Sequence, residues 1–361
     1  MKKFKVPNTY VIIFTVIAIC AVSTWFVPEG NPQTWQVLSA LYEGFSQQAG
    51  IIAFVLIIVG AMWLTDGSVA VASRFKVPEF IVGLTIVAVG TSMPELTVSF
   101  MSAIAGKGDM AIGNVVGSNT FNTLLILGVC SIFSPLVFTK SNIRRDIPIC
   151  IAATTALLVV TLFNQDINRF EGIVLLVGYI AMIIYMIRAE KRDMVVGEIK
   201  GETPEAQEQP KKQMPLWRVP IWILGGLAGL IFGGELFVSS ASEIARSWGV
   251  SEAIIAITLV AGGTSMPELA SSLVSVLKGN ASLALGNVLG SNIANILLIL
   301  GTCSTVTPLT MGGVTMTDVY VVVASAFVLM LSALVIGRDK LTRFEGVLFV
   351  ACYVAYVYTL L

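Results

Sequence analysis

Residues 82–128 read VGLTIVAVGTSMPELTVSFMSAIAGKGDMAIGNVVGSNTFNTLLILG, and residues 255–301 read IAITLVAGGTSMPELASSLVSVLKGNASLALGNVLGSNIANILLILG. The two copies align without a gap, pairing Gly90 with Gly263, Glu95 with Glu268 and Asn122 with Asn295. A chain that writes one apolar segment twice, with a glutamate at the same place in each copy, points to a binding site shared between the copies.

The chain is 56% hydrophobic and 12% charged, where a soluble domain carries about a quarter charged residues. Its apolar residues come in runs of about twenty, the length of a membrane-spanning helix. The short alternating segments of a membrane β-barrel are absent. The fold class that follows is an all-α polytopic membrane protein embedded in the lipid bilayer. A formal net charge of zero gives no support to nucleic-acid binding. The absence of histidine removes histidine metal sites, Ser-His triads and histidine proton relays. Cys20, Cys130, Cys150, Cys303 and Cys352 all sit in apolar runs and form no CxxC, so they read as small hydrophobes. With no nucleophile–base pair or metal triad to build from, an enzyme is not expected.

The order of segments predicts eleven helices. An apolar run at 10–27, after Lys2, Lys3 and Lys5, is longer than a signal-peptide core and lacks an A-x-A site before Pro28. It reads as a retained, extra N-terminal transmembrane helix, with a cleaved signal as the alternative. Residues 1–49 form this helix and an interfacial segment anchored by Trp35, Tyr42 and Phe45. A first five-helix repeat occupies 50–189, with helices at 50–73, 80–104, 110–132, 147–163 and 170–188. A cytoplasmic linker fills 190–216, rich in Glu, Lys and Pro. The second five-helix repeat occupies 217–361, with helices at 219–241, 252–277, 283–305, 317–336 and 344–361. Arg169-Phe-Glu171-Gly172 and Arg343-Phe-Glu345-Gly346 open the last helix of each set. With the N-terminus in the cytoplasm, every Lys and Arg except Lys107, Arg169 and Arg246, of 22, falls on the cytoplasmic side. Five is odd, so the two repeats enter the membrane from opposite faces and are inverted.

Glu95 and Glu268 sit near mid-span, where each charged side chain costs about 2.5–3.5 kcal/mol. A carboxylate that merely ties helices together is the alternative to a binding role, and duplication in one context argues against it. Pro94 and Pro267 each lack an N–H, removing the helical partner of the Gly90 and Gly263 carbonyls. A broken helix at membrane depth is tolerated where it lines a cavity or is buried in protein. Carboxylates beside freed carbonyls make a hard oxygen site suited to Na⁺ or Ca²⁺. Helical spacing puts Thr91, Glu95, Ser99 and Ser102 on one stripe, repeated by Thr264, Glu268, Ser272 and Ser275. Asn114, Ser118 and Asn122 form another, repeated by Asn287, Ser291 and Asn295, although small polar residues also serve to join membrane helices. Asp66 and Glu235 are not duplicated and lie towards helix ends, which favours a solvated or structural role.

GTSMPEL followed by GNVVGSNTFN, then GTSMPEL followed by GNVLGSNIAN, resembles the paired repeats of the cation/Ca²⁺ exchanger superfamily, in particular its Na⁺/Ca²⁺ exchanger branch with the prokaryotic members. The resemblance covers both five-helix sets. It implies a secondary antiporter in which Ca²⁺ and Na⁺ are transported ions rather than cofactors. By motif position it implies the ligands Thr91, Ser92, Glu95, Ser118 and Asn122 with Thr264, Ser265, Glu268, Ser291 and Asn295, the threonines acting largely through backbone carbonyls. Many relatives carry Asp where this chain has Asn122 or Asn295, so the site holds two formal negative charges. Ca²⁺/H⁺ exchange, K⁺-dependent Na⁺/Ca²⁺ exchange and a cation channel are the competing readings. The expected location is the cell (inner or plasma) membrane, and no oligomeric state follows from the sequence.

Overall fold

The apolar runs fold as helices whose ends are set by Gly, Pro and polar turns. The computed structural model describes residues 48–75, 77–164, 166–200, 214–247, 261–337 and 339–360. The expected helix at 10–27, the interfacial segment after it, and the first part of the helix expected at 252–277 lie outside the described residues.

The first half contains α1 (Gln48–Phe75), α2 (Glu79–Thr91), α3 (Met93–Ile104), α4 (Gly108–Phe133), α5 (142–164) and α6 (Arg169–Lys200). The second contains α7 (Arg218–Ser247), α8 (Ala261–Gly263), α9 (Met266–Leu277), α10 (Ala281–Val306), α11 (Met316–Ile336) and α12 (Arg343–Leu360). Among the described residues eight helices are long and apolar enough to cross a membrane, and the bent pair α2–α3 makes a ninth. The chain is an all-α, integral, multi-pass membrane protein. Three helices depart clearly from their expected spans: α5 starts at 142 rather than 147, α7 runs to Ser247 rather than 241, and α6 departs furthest, running to Lys200 rather than ending near 188. Residues 189–200, AEKRDMVVGEIK, are rich in the strong helix formers Ala, Glu, Lys and Arg, so the helix outlasts its apolar stretch.

Burial ranks the helices. The α4 and α10 spans are 78% and 89% buried, while those of α6 and α12 are 22% and 17% buried. The core therefore lies around α4 and α10, and α6 and α12 turn apolar side chains such as Ile173, Val177 and Val354 outward. Close crossings rest on small residues, as expected where apolar burial alone cannot favour one helix contact over lipid. At the crossing of α2 and α10, Gly83, Gly286 and Gly290 put bare backbone against backbone. The paired α1 and α7 meet at Gly60, Gly226 and Gly229, beside the stacked Trp63 and Trp222 rings 4.9 Å apart.

The two halves interlock reciprocally. Four two-residue strands pair across them: β1 (Leu136–Val137) with β4 (Lys340–Leu341), and β2 (Asp166–Ile167) with β3 (Leu309–Thr310). The repeated Arg-Phe-Glu-Gly motif acts at the same joints. Arg169 donates to the Val306 carbonyl and Arg343 to the Phe133 carbonyl, each at 3.4 Å, so each arginine caps the end of the other half's central helix. Glu171 closes a capping box with Asn168, and Glu345 accepts from Thr342 N at 2.8 Å and from Ser332 Oγ. Gly172 and Gly346 then lie against Gly301 and Gly128.

Candidate cation site

The helix breaks position the acids. Ser92 (φ −82°, ψ 10°) leaves helical geometry between α2 and α3, which meet at 45°. Ser265 (φ −90°, ψ 8°) does the same before α9. Pro94 and Pro267 occupy the first turn of the following helix, where a missing N–H costs nothing. Glu95 and Glu268 sit one residue further on, in the N-terminal turn, where helix dipoles favour negative charge.

Each carboxylate is held by the other half. Ser92 Oγ donates to Glu268 Oε1 and Ser265 Oγ donates to Glu95 Oε1, both at 2.8 Å. Ser291 Oγ adds a longer contact to Glu268 Oε1 at 3.4 Å. Both glutamates are completely buried. Their second oxygens, Glu95 Oε2 and Glu268 Oε2, have no hydrogen-bond partner, and neither do Ser118 Oγ, Asn122 Oδ1 or Asn295 Oδ1. Buried polar atoms without partners are rare and costly. Among the described residues, all such atoms but Ser68 Oγ and Asp166 Oδ1 lie in the two repeated motifs, and all but Asn122 Nδ2 are oxygens. Such a set can strip water from a hard cation and replace its hydration shell. Among the described residues no group of three or more His, Cys, Asp or Glu could hold a metal, so two carboxylates and neutral oxygens make up the donor set.

Asn122 lies in a π-helical stretch, Phe121–Ile126, and Asn295 opens its counterpart, Asn295–Leu300. A π-bulge releases backbone from the regular ladder and often marks a functional site. The asparagines differ in support. Asn295 Nδ2 donates to Asn119 Oδ1 at 3.0 Å, which leaves the Asn295 carbonyl oxygen free, whereas neither side-chain polar atom of Asn122 has a partner.

The expected stripes are not continuous. Because each helix breaks at Ser92 or Ser265, Thr91 and Thr264 belong to the preceding segment. Their hydroxyls contact Asn287 Oδ1 at 3.2 Å and Asn114 Oδ1 at 3.4 Å. Asn114 in turn donates to Ser99 Oγ and the Glu95 carbonyl, and Asn287 to Ser271 Oγ and Ser272 Oγ. Asn114 and Asn287 thereby buttress the glutamate helices, while the Thr91 and Thr264 hydroxyls also reach the Glu268 and Glu95 carboxylates. Ser275 bonds Thr65 on α1. The backbones of Gly90 and Gly263 are approached by the side chains of Leu227 and Val238. Asp66 pairs with Lys278 at 2.7 Å and is half exposed, and Glu235 is exposed, in line with solvated or structural roles.

Asn119 and Asn292 were not singled out in the sequence, although both copies carry them in the same Gly-Ser-Asn triplet. Asn119 Nδ2 donates to the Asn292 carbonyl at 3.2 Å, and Asn292 Nδ2 to Thr123 Oγ1 at 2.8 Å, tying α4 to α10 beside the site. Replacing Asn119 with Ala removes the acceptor that orients Asn295. One hydrogen bond of about 0.5–1.5 kcal/mol predicts about a 2- to 10-fold weaker apparent ion affinity, with the rate at saturating ion largely kept. A concentration series of ion uptake checks it.

The model of the sodium/calcium exchanger protein family matches residues 48–188 and 218–361. A protein of Alkalimonas amylolytica named as an antiporter, CaxA, is 34% identical over 86% of this chain and 99% of its own length. The sodium/calcium exchanger MaX1 of Methanosarcina acetivorans is 29% identical over 86% of this chain and 98% of its own. A solved structure of the sodium-calcium exchanger NCX_Mj, soaked with Na⁺ and Ca²⁺, superposes with a TM-score of 0.73 at 29% identity, covering 86% of this chain and 97% of that one. With matches running through both halves, this chain belongs to the sodium/calcium exchanger family, whose members are transporters rather than enzymes.

Proposed function

We propose that the protein is a secondary antiporter exchanging Ca²⁺ for Na⁺ by alternating access, its two inverted halves moving about Glu95 and Glu268. The observation that carries this reading is the reciprocal arrangement of the acids: each is completely buried, anchored through one oxygen by the other half's serine, and unpartnered at the second. Any relative movement of the halves therefore changes the coordination of an ion bound between them.

The ligands in this reading are Ser92, Glu95, Ser118 and Asn122 with Ser265, Glu268, Ser291 and Asn295, and the backbone carbonyls of Thr91 and Thr264. Two carboxylates neutralise one Ca²⁺. Na⁺ entering from the other side uses the same oxygens, so the two loads exclude each other, and that exclusion couples the fluxes. An ion-free pair of carboxylates is costly to occlude in the membrane, which biases reorientation towards loaded states. The sodium/calcium exchanger names of MaX1 and NCX_Mj support Na⁺ as the partner ion.

Purified protein in Na⁺-loaded vesicles is expected to take up radioactive Ca²⁺ on dilution into Na⁺-free medium, saturably and only while the Na⁺ gradient lasts. Uptake that ignores Na⁺ and follows an imposed pH gradient would transfer the coupling to protons. A requirement for K⁺ alongside Na⁺ would make the exchange K⁺-dependent. Non-saturating, gradient-independent flux would make the protein a channel.

A further inference from the structure

A second polar feature shares no residue with the carboxylate site and lies at the start of α5 and the stretch of α6 that ends near Arg192. There the two helices enclose a groove of about 590 Å³ whose lining includes Lys140, Arg144, Arg145, Tyr185, Arg188 and Arg192. Arg145 is committed: its Nε lies 2.7 Å from Asp146, which is buried and also accepts from Asn142. Lys140, Arg144, Arg188 and Arg192 are exposed, and none forms an ion pair with a described acid. Tyr185, Arg188 and Arg192 fall at i, i+3 and i+7, one face of α6. The N-terminal end of α5 adds the partial positive charge of its free N–H groups.

Membrane orientation asks only for basic residues on one side; it does not ask them to converge on one concavity, where they repel one another. Nor does the fold require them. The capping pairs Thr139–Asn142 and Thr315–Asp318 align the two helix starts, so Met316, Tyr320 and Val321 stand in the second half where Lys140, Arg144 and Arg145 stand in the first, and the same bundle holds there without those basic side chains. Asp318 closes the capping box of α11, as Asn142 does at the start of α5, and accepts from Tyr356.

The groove borders an apolar surface. Just before it on α6, Val177, Ile180 and Ile184 are 59%, 59% and 45% exposed, and Tyr185 sits where an aromatic belt residue belongs. We propose that this groove binds the phosphate headgroup of an anionic membrane phospholipid, with its acyl chains lying along that face of α6. Basic pockets between transmembrane helices recognise such headgroups. The adjoining apolar face is what favours a lipid over a free phosphate.

The test is native mass spectrometry of the full-length protein released from detergent, titrated with phosphatidylglycerol and, separately, with phosphatidylcholine. The wild type is expected to retain one phosphatidylglycerol at least about 10-fold more strongly than phosphatidylcholine, as several basic side chains at a headgroup predict. The Arg144→Gln/Arg188→Gln/Arg192→Gln variant is expected to lose that preference. A variant carrying Arg74→Gln, Arg218→Gln and Lys340→Gln, equal in charge change and outside the groove, is expected to keep it. Equal retention of both lipids by the wild type, or an undiminished preference in the groove variant, would overturn the proposal. Inorganic phosphate displacing the lipid at equal concentration would also overturn it, by making the site one for soluble anions. Arg188→Gln alone, which leaves α5 untouched, is expected to weaken the preference about fivefold and guards against misfolding of the triple variant.

Discussion

Glu268→Gln is expected to reduce Ca²⁺ exchange in vesicles by about 100-fold or more, and Glu95→Gln to do the same. Glutamine keeps the size of the side chain and an oxygen that can still accept from Ser92 or Ser265. What it removes is one of two formal charges in a site with no other described acid cluster. Leaving one member of a buried ionic set uncompensated costs about 3–5 kcal/mol, which exceeds a hundredfold in affinity. The same substitution relieves like-charge repulsion when no ion is bound. The ion-free variants should therefore melt higher than the wild type while losing the shift in melting temperature that Ca²⁺ gives. That opposite pair of changes separates loss of a ligand from loss of the fold. Exchange within a few-fold of wild type in both variants would remove the glutamates from the site.

Gly286→Ala is the second large effect, and it concerns the scaffold. A Cβ at Gly286 would land on the Phe80 carbonyl oxygen, with the Phe80 carbonyl carbon and the Leu84 amide each 3.0 Å away. These atoms are backbone of α2 and cannot rotate aside. The helices must move apart, and overpacking of this kind costs about 1–3 kcal/mol or more. Because α2 leads directly into Ser92, the displacement should reach the serine that holds Glu268. The expected result is a melting temperature lower by about 5 °C or more, together with weaker Ca²⁺ binding. Gly178→Ala is the control: a Cβ there meets nothing within 4 Å, so melting is expected to stay unchanged or rise. Equal behaviour of the two variants would show that the α2–α10 contact does not hold the site.

The doubled motif made much of this legible. A charged residue in an apolar run is conspicuous, and a proline beside it locates the break, so Glu95, Glu268 and the helix interruptions could be read from the chain. Periodicity failed where the backbone is not α-helical. A stripe drawn from Thr91 to Ser102 assumes an unbroken 3.6-residue repeat, and the break at Ser92 falls between Thr91 and the rest of it. Asn122 and Asn295 were found, but not the π-helical stretches that carry them, since a π-turn leaves no regular mark in the pattern of side chains. Asn119 and Asn292 were visible as repeated residues. Their role was not, because it depends on which helices cross, and that is decided by the glycines of α2 and α10. The Arg-Phe-Glu-Gly motif showed the extent of the repeat; its capping of the opposite half became apparent only in three dimensions.

The reciprocal joints also bear on how the chain is made. α6 packs on α10, and β2 finds its partner in β3, more than a hundred residues later in the chain. A ribosome that has delivered α1 to α6 has inserted half a transporter whose last helix still lacks the α10 surface it packs on. The serine that holds Glu95 has not yet been synthesised. Chains generally fold from the N-terminus as they emerge, but here the first half has to wait in the membrane for the second. The proposed ion site is thus assembled late, when α7 to α12 arrive. Nascent chains arrested before α10 should be inserted and helical, yet unable to bind a cation.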